Sequence, residues 1–292
     1  MKKSLVIGSL LICANYSSVA MAQEAASQEG VKVGKMSLMR KLVPTGALEG
    51  QAAQQYLQTM QDAQSKKALA PDDNPQVVRL RAIAKKLIPY ALPWNDRAKT
   101  WKWEVNLVGS SQINAYCMPG GKIAFYTGIL ESLKLTDDEV AIVMGHEIAH
   151  ALREHGAERA GKSMAANLLV KSAALFAEYK GYDGRMVAGA GSAGANLAML
   201  KFSRDDESEA DVVGLDIAAR AGYDPRAGVA LWQKMGYVNK NSPPKWLSTH
   251  PAGTDRINEI RKHFPEVMPL YAKAKNSLRV VSNRSPYNLW AK

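Results

Sequence analysis

The chain has 292 residues, five histidines, two cysteines and a formal net charge of +11 at pH 7. That length suffices for one substantial domain, with or without an appended helical arm, and no repeat period is visible. The basic balance favours anionic neighbours such as outer-membrane lipid headgroups or acidic unfolded chains, whereas nothing resembles a nucleic-acid-reading motif, so no nucleic-acid partner is expected.

In chain order, residues 1–22 read as a signal peptide. Lys2 and Lys3 precede an apolar run from Leu5 to Ala14, and Ala20-Met21-Ala22 has the small-x-small pattern of a cleavage site. The run is shorter than the roughly 20 residues that cross a bilayer. Cys13 lacks the small preceding residue expected of a lipidation site. Export to the periplasm follows, and removal of the signal leaves Cys117 as the only cysteine, so stability must come from burial rather than an internal disulfide. Residues 23–50, polar and Gly-rich, are expected to be a flexible lead-in.

Residues 51–67 and 73–88 read as helices separated by Ala70-Pro71-Asp72-Asp73, the second ending at Ile88 before Pro89. From Trp101 the stretches WKWEVNLV, SQINAYC and KIAFYTG predict three short strands, with Pro119-Gly120-Gly121 turning the last two. Helices follow: one over the His-rich stretch, a pair within 160–201, one at 205–221, one after Pro225 and one after Pro251. The longest late uncharged stretch, Met186 to Leu200, is too short for a membrane crossing. The fold class expected is α+β, mainly helical, with a small three-stranded sheet beside the His-rich helix.

That helix carries MGHEIAHALREHGAER. His146 and His150 are four apart and share one helix face, whereas His155, five further on, is expected to point elsewhere. With Glu147 between them they form HExxH, in which two neutral imidazoles hold Zn²⁺ and the carboxylate handles the water's protons. Chance supplies about 0.004 such matches in a chain of this composition, so the motif is meaningful. Thr136 and Glu139 form a capping box, Asp137 and Asp138 suit the first turn, Val140, Val143, Met144, Ile148, Ala151 and Leu152 supply an apolar face, and Gly156 offers a stop.

Zinc needs a third protein ligand and, for catalysis, an open place. Arg153 stands where HExxHxxGxxH would need Gly. In SRDDESEADVV, Glu207 and Asp211 lie at i and i+4 and can present a ligand and its supporter from one face; Glu209 is the rival ligand, on another side of the helix.

The ordered motifs HEIAH, ESEAD (57 residues after His150) and STHPAGTDR, together with INAYCMPGGKIAFYTGIL, resemble the zinc metallopeptidases that include the CAAX prenyl protease and the mitochondrial OMA peptidase, nearest their soluble periplasmic branch. The likeness covers roughly residues 75 to 265 and implies a zincin-like metallopeptidase domain, drawn here as 51–270, with a C-terminal tail at 271–292. It implies one Zn²⁺ held by His146, His150 and Glu207, with Asp211 as an orienting carboxylate. It places His250 near the metal as oxyanion stabiliser or closing fourth ligand, and Arg256 against an acidic group there; the bland alternative for His250 is a cap on the following helix. The membrane-embedded members have spanning helices that this chain lacks.

The expected chemistry is zinc-dependent hydrolysis of peptide bonds in exported, unfolded or misassembled envelope proteins, with Glu147 as the base. The rival is a periplasmic chaperone or assembly factor with a latent, self-inhibited zinc site. Extended substrate can add to a strand edge near Asn114, Gly120 and Gly121, although plain turn chemistry explains those residues equally well. Cys117 reads as a small buried residue rather than a nucleophile.

Overall fold

The computed structural model describes residues 29–180, 202–238, 245–250 and 254–283, together with Tyr182, Asp183, Arg185 and Gly189. The segment read as a signal peptide, the first residues of the expected lead-in, the second member of the helix pair expected within 160–201 and the end of the expected C-terminal tail lie outside the described residues.

The alternation seen in the strand stretches becomes a sheet with two different faces. Strands β1 (Glu104–Val108), β2 (Ala115–Met118) and β3 (Lys122–Tyr126) run in the order β1-β3-β2, β1 parallel and β2 antiparallel to β3. Because side chains alternate across a strand, Val105, Leu107, Ala115, Ile123 and Phe125 enter the main core. Val108 and Ala124 face the other way, onto Tyr56, Met60 and Ala63 of helix α1 (Thr45–Ser65). Tyr56 fixes the layer by donating its hydroxyl to the Ile123 carbonyl at 2.7 Å. Leu69 bridges to the outer side of β1, and β2 is the other edge strand.

Helix α2 (Pro75–Ala91) packs on the core face of the sheet, next to α4 (Asp137–Leu152), which follows the short α3 (Thr127–Ser132). Every residue of α4 from Glu139 to Leu152 is buried, so α4 is the central rod of the molecule rather than a surface helix with one apolar stripe. Its capping box is formed on both sides: Glu139 N donates to Thr136 Oγ1 at 3.3 Å and Thr136 N to Glu139 Oε2 at 2.8 Å. After α5 (His155–Tyr179), helix α6 (Arg204–Arg220) starts from a second capping box, between Ser203 and Asp206, and crosses α4. Helices α7 (Ala227–Val238), α8 (Lys245–Thr249), α9 (Thr254–Lys262) and α10 (Phe264–Asn283) complete the shell. About 70% of the described residues are helical, beside a small three-stranded sheet, the α+β class expected. Among the described residues no helix is long and apolar enough to cross a membrane.

Four boundaries differ from the sequence reading. Helix α2 continues through Pro89 to Ala91, because the missing N–H falls in the last turn where few backbone bonds remain to be lost. Helix α4 ends four residues before Gly156, at Leu152, where Glu154 takes a left-handed conformation (φ 56°) and α5 begins at once. The lead-in is not featureless: Val31 is buried, Leu38–Leu42 forms a 3₁₀ helix against α5, and α1 starts at Thr45. Its anchor is a close approach in which any side chain on Gly161 would meet the Met39 carbonyl oxygen. The boundary at residue 270 falls inside α10, whose Val267 and Leu270 are buried and whose Tyr271 packs on the core.

At the crossing of α4 and α6 two glycines face each other. A methyl group on Gly145 would lie 2.8 Å from the Gly214 carbonyl oxygen, and one on Gly214 would lie 2.7 Å from the His146 backbone nitrogen. Both obstacles are backbone and cannot swing aside. Gly214→Ala is therefore expected to destabilise the fold by about 1–3 kcal/mol in denaturant unfolding. Gly236→Ala, in the last described turn of α7 with open space around it, is expected to stabilise by up to about 1 kcal/mol; equal effects at the two sites would contradict the crossing.

Candidate metal centre

Because α4 and α6 touch at Gly145 and Gly214, the residues flanking those glycines are brought side to side. His146 and His150 come from α4, Glu207 from the first turns of α6, and His250 from the residue after α8. Among the described residues these four buried side chains are the one group whose candidate ligand atoms all lie within 4.8 Å of one another. His146 Nε2 and His150 Nε2 are 3.1 Å apart. Glu207 places Oε2 at 3.6 Å from His146 Nε2 and Oε1 at 3.4 Å from His150 Nε2.

That spacing fits a cation. Atoms bonded to one tetrahedral zinc at the usual 2.0–2.1 Å stand about 3.3 Å from each other. The donor set, two imidazoles and a carboxylate, is one zinc accepts. The outward nitrogens also agree: His146 Nδ1 donates to Asp211 Oδ1 at 3.0 Å, which leaves Nε2 free of its proton and turned inward. Burial pushes the His150 pKa well down, so its ring is neutral and ready to ligate.

The carboxylates are held ionised. Burial would raise Glu207, but hydrogen bonds from His150 and His250 hold its carboxyl far below the usual range. Burial opposes ionisation of Asp211 as well, and the Arg256 charge overcomes it. Arg256 donates Nε to Asp211 Oδ2 at 2.7 Å, Nη2 to Asp211 Oδ1 at 2.6 Å and Nη1 to Glu207 Oε2. Its guanidinium lies over the Trp232 ring, 3.8 Å from the centroid. One arginine thereby fixes both carboxylates of the ExxxD pair.

Glu147 reaches the His250 side of the cluster and receives the Trp246 indole N–H on Oε1 at 2.6 Å. Trp246 also stacks on His250, 5.0 Å between centroids. The sequence reading missed Trp246, and its only local signal was a tryptophan four residues before a motif histidine. His250 sits inside the cluster, Nδ1 at 2.9 Å from Glu207 Oε1 and 3.2 Å from His146 Nε2, with Nε2 at 3.6 Å from Glu147 Oε1. Burial works against its protonation, but the Glu147 and Glu207 carboxylates raise its pKa overall.

His155, expected to point elsewhere, is turned back by the left-handed Glu154. Its Nδ1 lies 2.9 Å from His150 Nδ1 and its Nε2 is 2.8 Å from Glu209 Oε2. Were a metal to take the place of the His150 Nε2 proton, His150 Nδ1 would donate to His155 and His155 to Glu209, which Arg153 also holds at 2.7 Å. His155 and Glu209 thus stand behind His150, outside the four-residue cluster. Asn114 precedes edge strand β2 and its carbonyl accepts from Tyr126 N at 3.1 Å. Gly120 and Gly121 have φ of +85° and +77°, and a side chain on Gly121 would strike the Trp103 ring at 2.8 Å. Turn geometry therefore accounts for both glycines. Cys117 is partly buried on β2; burial, with a contribution from Glu147, pushes its thiol well up, which suits a packing residue.

These contacts separate ligand from support. Glu207→Ala is expected to abolish stoichiometric zinc binding in calorimetric titration, whereas Asp211→Asn, which removes an outer hydrogen-bond acceptor, is expected to weaken it about 10–100-fold. Retention of full affinity by Glu207→Ala would remove that residue from the ligand set.

A family model described as peptidase family M48 matches residues 76–263. The mitochondrial metalloendopeptidase OMA1 of Arabidopsis thaliana is 38% identical over 53% of this chain and 30% of its own length. That of Saccharomyces cerevisiae is 30% identical over 72% of this chain and 62% of its own. A beta-barrel assembly-enhancing protease of Yersinia pestis is 29% identical over 56% of this chain and 35% of its own. The chain spans less than two thirds of each of these relatives, but the family model covers more than half of the chain, including every residue of the metal cluster. The chain belongs to peptidase family M48.

Proposed function

We propose that the protein is a zinc-dependent endopeptidase that hydrolyses unfolded or misassembled polypeptides of the bacterial envelope. The observation that carries the reading is the convergence of His146, His150 and Glu207 next to the Glu147 carboxylate. Zinc held by these three residues supplies Lewis acidity for both the attacking water and the scissile carbonyl. Glu147, oriented by Trp246, takes the proton from the attacking water and returns it to the leaving amine. Asp211 and Arg256 hold His146 and Glu207 in place, and His155 does so for His150. His250 lies close enough to donate to the oxyanion that develops on the carbonyl.

An extended substrate adds to the outer edge of β2, which lies against α4. Pairing through backbone groups tolerates varied sequence, as unfolded substrates require. The beta-barrel assembly-enhancing proteases of Yersinia pestis and Vibrio cholerae among the relatives support an envelope role, and the lysine-led apolar N-terminus supports export to the periplasm, with the basic surface favouring peripheral association with the outer membrane.

A second reading draws on His250. As a fourth donor within 4.8 Å of the others, it can complete the ligand set and leave no open place, the latent state of a chaperone or assembly factor. His250→Ala separates the two: raised basal casein cleavage favours a closing ligand, and a fall favours the oxyanion role. For the main reading, Glu147→Gln is expected to lower casein cleavage by at least about 10³-fold while still binding zinc. Undiminished cleavage by that variant would contradict the mechanism.

A further inference from the structure

Beside the metal cluster a cavity of about 460 Å³ opens between α1, the end of β2 and the start of α5. Small residues create it: Ala52 from α1, Ala151 from α4, and Ala157 and Ala160 from α5 line it where larger side chains would fill the space. His150 forms part of its wall, as do Cys117, Met118 and Pro119 at the end of the edge strand. A peptide added along β2 would therefore run beside this cavity, whose wall includes both the end of that strand and the metal-ligand residue His150.

The charges on its wall are unevenly satisfied. Glu49 accepts two bonds from Arg97, at 3.0 and 2.7 Å, and one from the Trp101 indole at 2.9 Å. Glu154 is bound by Arg40 at 2.6 Å. Both acids are neutralised by the protein's own groups. Arg159 is not: among the described residues it makes no ion pair and no hydrogen bond. Its guanidinium rests over the Phe202 ring, 4.4 Å from the centroid, and Phe202 in turn stacks on His150 at 4.1 Å and 28°. Burial lowers the pKa of Arg159, opposed only by the more distant Asp206. A cation held against an aromatic face, with its donors unspent, is short of an anionic partner.

We infer that Arg159 is a specificity-determining residue, which receives a substrate carboxylate in the cavity beside His150 while the alanine-lined walls accept the apolar stem that carries it. The carboxylate comes from an acidic side chain flanking the scissile bond or from a chain end. This inference rests on the peptidase reading and names the substrate class for that site.

The test uses short fluorogenic peptides in which Glu, Gln or Leu is walked through the positions around the cleavage site, each made with a free C-terminal acid and with an amide. kcat/KM is measured for the full chain, Arg159→Gln and Arg159→Lys. The same peptides are titrated into the Glu147→Gln protein, with and without Arg159→Gln, by fluorescence anisotropy. At one position the full chain is expected to favour Glu over Gln about tenfold or more, the range of a charge-assisted hydrogen bond. Arg159→Lys should keep part of the preference and Arg159→Gln should bring it to about one. A preference that follows the terminal acid instead supports the same site and assigns the carboxylate to a chain end. An unchanged Glu-to-Gln ratio in Arg159→Gln, or a full chain that favours Leu over Glu at every position, overturns the inference but leaves the peptidase reading standing. Arg159-dependent binding without cleavage of any peptide would uphold the carboxylate site and overturn the peptidase reading.

Discussion

Two helices approach here with no side chain between them. Gly145 and Gly214 let the backbones of α4 and α6 meet, and the positions of the metal ligands follow from that contact. His146 is next to Gly145 in sequence, and Glu207 and Asp211 lie about two turns and one turn before Gly214 on a rigid helix. With a side chain at either glycine the helices would stand further apart and the 3.1–3.6 Å spacings among the three ligands would open. The crossing is itself buried, so the surrounding core resists such a displacement. Rigid elements, rather than loops, hold the charges that a metal needs.

Around that contact the polar groups are arranged in two layers of opposite sense. The inner layer gathers lone pairs: two imidazole nitrogens and the Glu207 oxygens. The outer layer supplies their orientation. Asp211 and Arg256 stand behind His146 and Glu207, and His155, Glu209 and Arg153 stand behind His150. Leaving so many charged groups buried without partners would cost several kcal/mol each. Here nearly every one has a hydrogen-bonded counterpart, and the inner lone pairs are satisfied only by protons or a cation. Arg159, at the edge of this system, rests over the Phe202 ring and makes no ion pair among the described residues.

Much of this was legible from the residues. HExxH with its capping box announced a buried helix, and the period-two alternation of WKWEVNLV and KIAFYTG announced strands whose two faces enter different clusters. What escaped were features set by tertiary contact. Glu154 adopts a left-handed backbone without being Gly or Asn, so a helical projection that continued past Arg153 turned His155 the wrong way. Trp246 reaches Glu147 from 99 residues away, and no local pattern encodes such a partner. Pro89 was read as a stop although the last turn of a helix tolerates it. The glycine pair was invisible for the same reason, because each glycine sits in an ordinary helical stretch and only the crossing gives it meaning.

The central claim is that one cation is gripped by two imidazoles of one helix and a carboxylate of another. X-ray absorption at the zinc edge of the metal-loaded protein tests it most directly, together with elemental analysis. The account predicts one zinc per chain, a first shell of nitrogen and oxygen only at about 2.0–2.1 Å, and the outer scattering of two or three imidazoles. A sulfur in that shell, which would bring in Cys117, or scattering from fewer than two imidazoles would contradict it.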